Sequence, residues 1–151
     1  MEKTLIILKP DSLQRGLAGR IISRFEEKGF QIVGLKAMQI SRPLAERHYA
    51  VHKGKPFYGR LIEYVTSSPV IVMVVQAVNG IGVARKMMGA TFGSKAEAGT
   101  IRGDFGLSNS FNLIHGSDSP EAAETEIALY FKPEELLNYQ RGNERWIYDF
   151  S

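Results

Sequence analysis

Few residues in this 151-residue chain could do covalent chemistry: it has three histidines and no cysteine. The missing thiols exclude a cysteine nucleophile, a thiolate metal site and a disulfide framework, and suit a reducing compartment. His115 is the unusual histidine. It stands in Asn112-Leu113-Ile114-His115-Gly116-Ser117-Asp118, at the end of a short apolar run and before a glycine, which leaves backbone room for a ligand. Taken alone, a histidine before a glycine is more often structural. The helix that follows bears on the choice. Ser119 is placed to cap it with Pro120 as its first residue. At 100° per residue, Ala122, Ala123, Ile127, Leu129 and Tyr130 share one face, with Glu126 among them, while Glu121, Glu124 and Thr125 face away. A carboxylate on a core-facing stripe needs a hydrogen-bond partner. The nearest candidate upstream is His115, although a backbone amide would also serve. A carboxylate holding one imidazole nitrogen leaves the other free as a nucleophile.

Other candidate motifs are weaker. His48 and His52 are four apart on a helical stretch, but Tyr49 stands where the zinc motif H-E-x-x-H needs glutamate, so they read as a surface pair. Gly54-Lys55-Pro56 lacks the upstream glycine and the following Ser or Thr of a P-loop. Gly80-Ile81-Gly82 follows a strand and opens a helix, yet Arg85 occupies the place of the third glycine in a dinucleotide fingerprint. Lys9 at a strand end, Arg85 on a helix and Arg102 in Thr100-Ile101-Arg102-Gly103-Asp104 could each be a solvated charge. Converging near an oriented histidine, they would form a pocket for a phosphate chain, where positioning and charge stabilisation carry most of phosphoryl transfer.

Several elements must bring these residues together. Leu5 to Leu8 is a short apolar run closed by Lys9-Pro10-Asp11, a central strand ending in a turn. Leu17, Ala18, Ile21, Ile22 and Phe25 recur at helical spacing up to Gly29. Ile32 to Ala37 and Val70 to Val78 are further strands, and Phe111 to Ile114 is a weaker fourth. Helices are expected within 43–66, from Ile81 to Met88 and from Pro120 to Phe131. Residues 89–110 form a long loop with five glycines, a length more often functional than incidental. The tail after Gly142 carries Trp146, Ile147, Tyr148 and Phe150 with no element to bury them locally, so it should dock on its own body or on a neighbour. This alternation is α/β or α+β with one sheet, and periodicity does not choose between a doubly wound parallel sheet and an antiparallel one.

Composition bounds the rest. With 44% hydrophobic and 23% charged residues, 1–151 reads as a single globular domain. The net charge of +3 is too small to argue for nucleic acid, and it is uneven: residues 1–75 carry 12 basic and 6 acidic groups, residues 76–151 carry 7 and 10. Val70 to Val75, the longest apolar run, is far short of the roughly 20 residues that span a bilayer. Only four apolar residues separate Lys3 and Thr4 from Lys9, too few for a secretory core, which makes the cytoplasm the expected address.

Four segments together resemble the nucleoside diphosphate kinase family over essentially the whole length: Asn112 to Asp118, Leu8-Lys9-Pro10-Asp11 with Gln14-Arg15-Gly16, Thr100 to Phe105, and Trp146-Ile147-Tyr148. The resemblance implies an α+β fold, a ferredoxin-like βαββαβ antiparallel sheet with helices on it, an extra helical hairpin and a long glycine-rich loop. It implies ping-pong transfer of the γ-phosphoryl group from a nucleoside triphosphate to a nucleoside diphosphate, ATP and GDP among them, through phosphohistidine at His115. Glu126 would hold the ring with Ser117 nearby. Lys9, Tyr49, Arg85, Thr91, Arg102 and Asn112 would contact phosphates and ribose, and Phe57, with Leu61 beside it, would stack on the base. Mg2+ would arrive with the nucleotide, with no metal cage made by the protein itself. The family forms tetramers or hexamers, and the aromatic tail is more like the hexameric kind. Gly93 and Ala98 stand where prolines are common, so the loop is expected to be more flexible, and Asn109 replaces a small aliphatic residue near the base. The competing readings are a nucleotide- or nucleic-acid-binding regulator with little exchange activity, and a nicotinamide dehydrogenase.

Overall fold

The computed structural model describes residues 1–149; Phe150, expected in the tail, lies outside the described residues. Strands β1 (Glu2–Leu8), β2 (Gln31–Met38), β3 (Val70–Ala77) and β4 (Ile114–Gly116) form one sheet in the order β2-β3-β1-β4. Every neighbouring pair is antiparallel, so the sheet is the ferredoxin-like one and not the doubly wound alternative. Successive β1 residues serve opposite faces. Ile6 and Leu8 pack with Ile21 and Phe25 of α2 (Ala18–Lys28) and Ala84 and Met88 of α5 (Gly80–Met88). Leu5 and Ile7 pack with Ile62 and Val65 of α4 (Tyr58–Thr66) and Tyr130 of α7 (Pro120–Tyr130). Covered on both faces, β1 is apolar throughout and does not alternate. Its end is thereby fixed, and Lys9 with it.

The fourth strand differs from its expected position. Leu113 has a φ of 72°, which an extended pairing cannot accommodate, so the strand begins at Ile114. His115 therefore lies inside the strand, opposite Ile7 and on the face that α7 covers. Gly116, opposite Ile6, points the other way. A Cβ there would lie 2.5 Å from the Met88 sulfur, so the glycine admits α5 and does not make room for a ligand beside His115.

Two turns of helix escaped the sequence pattern because each is only five residues long. The segment after Lys9, read as a turn, is α1 (Pro10–Gln14), and the 89–110 loop contains α6 (Ile101–Phe105) after a 3-10 turn at Gly93–Lys95. The 43–66 stretch is α3 (Arg42–His48), a 3-10 turn at Ala50–His52, and α4. Arg24 ties the long loop down by donating to the Gly99 carbonyl at 2.9 Å and pairing with Asp104, and Ser94 Oγ donates to Asn109 Oδ1 at 2.5 Å. These bonds tie the loop to α2 and to itself. The segment before the tail docks on the body, the Leu137 amide donating to Val33 O at 2.8 Å and Tyr139 Oη to Ile32 O at 2.6 Å. In the tail after Gly142 the Ile147 side chain packs on Gly29, where a Cβ would lie 2.8 Å from Ile147 Cγ2. Trp146 stays 79% exposed. Among the described residues no helix is long and apolar enough to cross a membrane.

α6 carries Arg102, and its entry depends on Gly103, where a Cβ would overlap the Glu97 carbonyl oxygen. Gly103→Ala should lower stability by about 1–3 kcal/mol. The check is the urea midpoint, with Gly59→Ala, which meets nothing within 4 Å, showing no such loss.

Candidate active site

Ser119 caps α7 by accepting from the Ala122 amide at 3.0 Å, which fixes the helix phase and turns Glu126 inward. Glu126 Oε1 lies 2.7 Å from His115 Nε2 and accepts from Ser117 Oγ at 3.0 Å. Ser117 Oγ in turn accepts from the Leu5 amide at 3.2 Å, so the triad is anchored to the central strand. Since a carboxylate only accepts, Nε2 carries the ring proton and Nδ1 keeps its lone pair.

Burial pushes the His115 pKa down to about 4, against the raising effect of Glu126, while the nearby His48 and Lys9 add to the lowering. The imidazole is therefore neutral and nucleophilic at pH 7. Burial would raise the Glu126 carboxyl, but the hydrogen bond from His115 and the nearby His48 imidazole outweigh it and hold the group well below the usual carboxylate range. One carboxylate thus stays ionised between two imidazoles.

The second imidazole, His48, is not part of a surface pair with His52, as its spacing suggests, but is buried under α7. The His48 side chain is only 2% exposed, with Nε2 3.6 Å from Glu126 Oε2 and Nδ1 2.7 Å from Tyr130 Oη. Its ring stacks on Tyr49 at 4.2 Å and meets His115 edge-on at 4.7 Å. Spacing alone missed it because α3 is short and its inward face is covered by α7, a contact distant in sequence. His48, His115 and Glu126 are a metal-capable grouping, all ligand atoms lying within 4.8 Å, but Oε1 already serves His115 and Ser117. Tyr49 is buried, 6.3 Å ring to ring from His115, and burial pushes its hydroxyl pKa up. It is a neutral hydroxyl at pH 7.

The cations converge, though not equally. Lys9 Nζ donates to Asn112 Oδ1 at 2.8 Å, and Asn112 Nδ2 donates to the Thr91 carbonyl at 3.1 Å, joining three expected site residues. Arg102 is 5% exposed and gives three bonds to carbonyls, Asn112 O at 3.1 Å, Gly89 O at 3.0 Å and Ile114 O at 2.6 Å. It is a strut of the loop as well as a charge, its pKa pushed down to about 10 by burial and then by Arg85. Arg85 is exposed, with one bond to Gly116 O at 3.2 Å, and is the freer cation. Phe57 is 48% exposed beside His52, whose ring is 5.2 Å away, as a stacking platform requires. Leu61 packs partly buried against the second core. The α5 N-terminus is occupied by Glu2, whose Oε1 accepts from the Ile81 amide at 2.8 Å, which leaves no free cradle for a dinucleotide pyrophosphate. Two open clefts of about 620 and 590 Å³ run along α2, lined by Arg24 and Glu27, and neither contains a residue of this site. Side-chain chemistry, not hollow volume, marks the site.

An antiparallel α+β domain that sets a neutral, carboxylate-held histidine beside Lys9, Arg85 and Arg102 has the parts a phosphotransferase needs. Residues 2–136 match the sequence model of the nucleoside diphosphate kinase family. The chain is 58% identical over 149 residues to a nucleoside diphosphate kinase of Carboxydothermus hydrogenoformans, covering 99% of this chain and 100% of that one. It superposes with a TM-score of 0.96, at 45% identity and covering 98% and 99% of the two chains, on a halophilic nucleoside diphosphate kinase from Halobacterium salinarum in complex with CDP. A nucleoside diphosphate kinase family protein from Babesia bovis gives 0.94 at 41% identity, covering 98% and 100%. The chain belongs to the nucleoside diphosphate kinase family and carries its phosphotransferase activity, moving a phosphoryl group between nucleoside triphosphates and diphosphates.

The His115 shift has a consequence for stability. With the folded pKa near 4 and the unfolded one near 6.5, the unfolded chain takes up the proton first on acidification. Stability present above pH 6.5 is therefore lost as pH falls towards 4. Denaturation midpoints of wild type and His115→Gln, measured between pH 7 and 4.5, should diverge in that window, the wild type losing more.

Proposed function

We propose that His115 is the phosphoryl carrier, and that nucleotide exchange runs in two half-reactions through it. Nδ1 attacks the γ-phosphorus, the bond from that phosphorus to the bridging oxygen breaks, and the diphosphate leaves with the electron pair. The ring becomes positively charged as the N–P bond forms, and the ionised Glu126, already on Nε2–H, meets that charge without reorganising. Reversal onto a second diphosphate returns the histidine. The observation that carries this reading is the 2.7 Å contact between His115 Nε2 and Glu126, because it fixes both the tautomer and the free nitrogen.

Lys9 and Asn112 act on the sugar and phosphate oxygens, Arg85 and Arg102 on the phosphates, with Thr91 and the neutral Tyr49 hydroxyl as further hydrogen-bond partners. Phe57, with Leu61 beside it, offers an apolar face to the base, and stacking tolerates every base. Mg2+ belongs to the substrate: it enters bridging phosphate oxygens, which suits a site whose charged side chains around the phosphates are cations. The working place is the cytoplasm, in keeping with the absence of cysteine.

With γ-labelled ATP the enzyme should form an acid-labile, alkali-stable phosphoenzyme that GDP discharges as GTP. His115→Ala should form none, and label retained on it would remove His115 from this role. Glu126→Ala should lower kcat by about 10²-fold, the size of an acid–base or orienting contribution, with little change in KM.

The assembly is a homohexamer. Support comes from Trp146, Leu107 and Phe92, which are 79%, 91% and 49% exposed on the single chain and gain by being covered. Light scattering at micromolar concentration should give six times the 16.8 kDa chain mass, and a stable monomer or tetramer would overturn the assignment.

A further inference from the structure

Two residues before His115 the backbone is strained. The Ile114 amide donates to Asn112 O at 2.8 Å, closing a three-residue turn around Leu113, whose φ is 72°. A γ-turn of positive φ is the rare form, and for a branched residue such as leucine it persists only where surroundings over-determine it. Leu113 cannot move to relieve the strain, because its side chain is wholly buried in the first core.

What over-determines the turn is the segment just after β1. The Leu113 carbonyl accepts from the Lys9 amide at 2.9 Å and from Ser12 Oγ at 2.6 Å. The Leu113 amide donates to Asp11 Oδ2 at 3.1 Å. The other oxygen of Asp11 accepts from the Tyr64 hydroxyl on α4, and the Tyr64 ring lies under Lys9, 5.4 Å from Nζ. Both peptide groups of the strained residue are thus gripped by residues 9–12, and Asp11 joins that grip to α4 by a hydrogen bond, beside the Lys9 contact with the same Tyr64 ring.

We propose that Asp11 is a positioning residue for nucleotide binding, holding the strained Asn112–Leu113 peptide and the Tyr64 ring together so that Lys9 and Asn112 present one fixed pair to the substrate. This rests on the reading of Lys9 and Asn112 as nucleotide contacts. Asp11 acts on Lys9 by charge as well as by place. Around the Lys9 ammonium stand Arg102 from α6, His115 from β4, Tyr64 from α4 and Asp11 from α1. Burial and then Arg102 push its pKa down to about 7, and Asp11 raises it. Without the carboxylate the ammonium would lose its proton at lower pH.

The test is Asp11→Asn, which keeps the shape, removes the charge and can satisfy only one of the two donors, with Tyr64→Phe as the milder second variant. Asp11→Asn should raise KM for ADP and ATP about 10-fold, the worth of one hydrogen bond to a charged group, and change kcat less. The alkaline limb of kcat/KM should lie at lower pH than in wild type, since that profile reports the free enzyme. Tyr64→Phe should raise KM in the same direction and to a smaller extent. A wild-type KM and pH profile in both variants, or a loss confined to kcat or to thermal stability, would overturn the role of Asp11. Failure of the wild type itself to form a phosphoenzyme would instead overturn the reading of the site on which this inference rests.

Discussion

The site is organised around one half-buried negative charge. Glu126 sits on a face of α7 otherwise given to the core, where an unpaired carboxylate would be expensive, and its hydrogen bonds from His115 and Ser117, with the His48 ring 3.6 Å away, answer that cost. Each partner is itself fixed: Ser117 by the Leu5 amide, His48 by Tyr130, His115 by pairing with β1. The requirement to satisfy a carboxylate therefore links the central strand, the last strand, α3 and α7. It also sets the histidine's tautomer, while burial, against the raising effect of Glu126, keeps the ring neutral; together these make an imidazole a nucleophile at neutral pH.

The cations illustrate how burial divides labour among like residues. Arg102 is enclosed and gives three of its donors to carbonyls at 89, 112 and 114, drawing the glycine-rich loop and the approach to β4 together. Arg85 is exposed and holds a single carbonyl, which leaves most of its fork for a ligand. Lys9 lies between them in character, enclosed yet bonded to one side-chain oxygen. Burial first, and then the neighbouring positive charge, push the pKa values of Lys9 and Arg102 down, so an anion placed among these three side chains would relieve both costs.

The sequence determined a good deal unaided. The run Leu5 to Leu8 marked β1 as central, Gly29 ended α2 in a left-handed cap, Ser119 set the phase of α7, and that phase put Glu126 on the inner face beside His115. These are properties of adjacent residues, governed by local propensity and by the 3.6-residue period, so they can be read along the chain. Tertiary structure alone decided the rest. Whether Arg102 was solvated or a strut, whether His48 lay on the surface or under α7, and why Gly116 is small depended on contacts across tens of residues. So did the strained turn at Leu113: no propensity predicts a leucine there, and it exists because the Lys9 amide, the α1 side chains of Asp11 and Ser12, and the core hold it from three sides. Burial and charge pairing are relations between distant segments, and a linear pattern carries no record of which segments will meet.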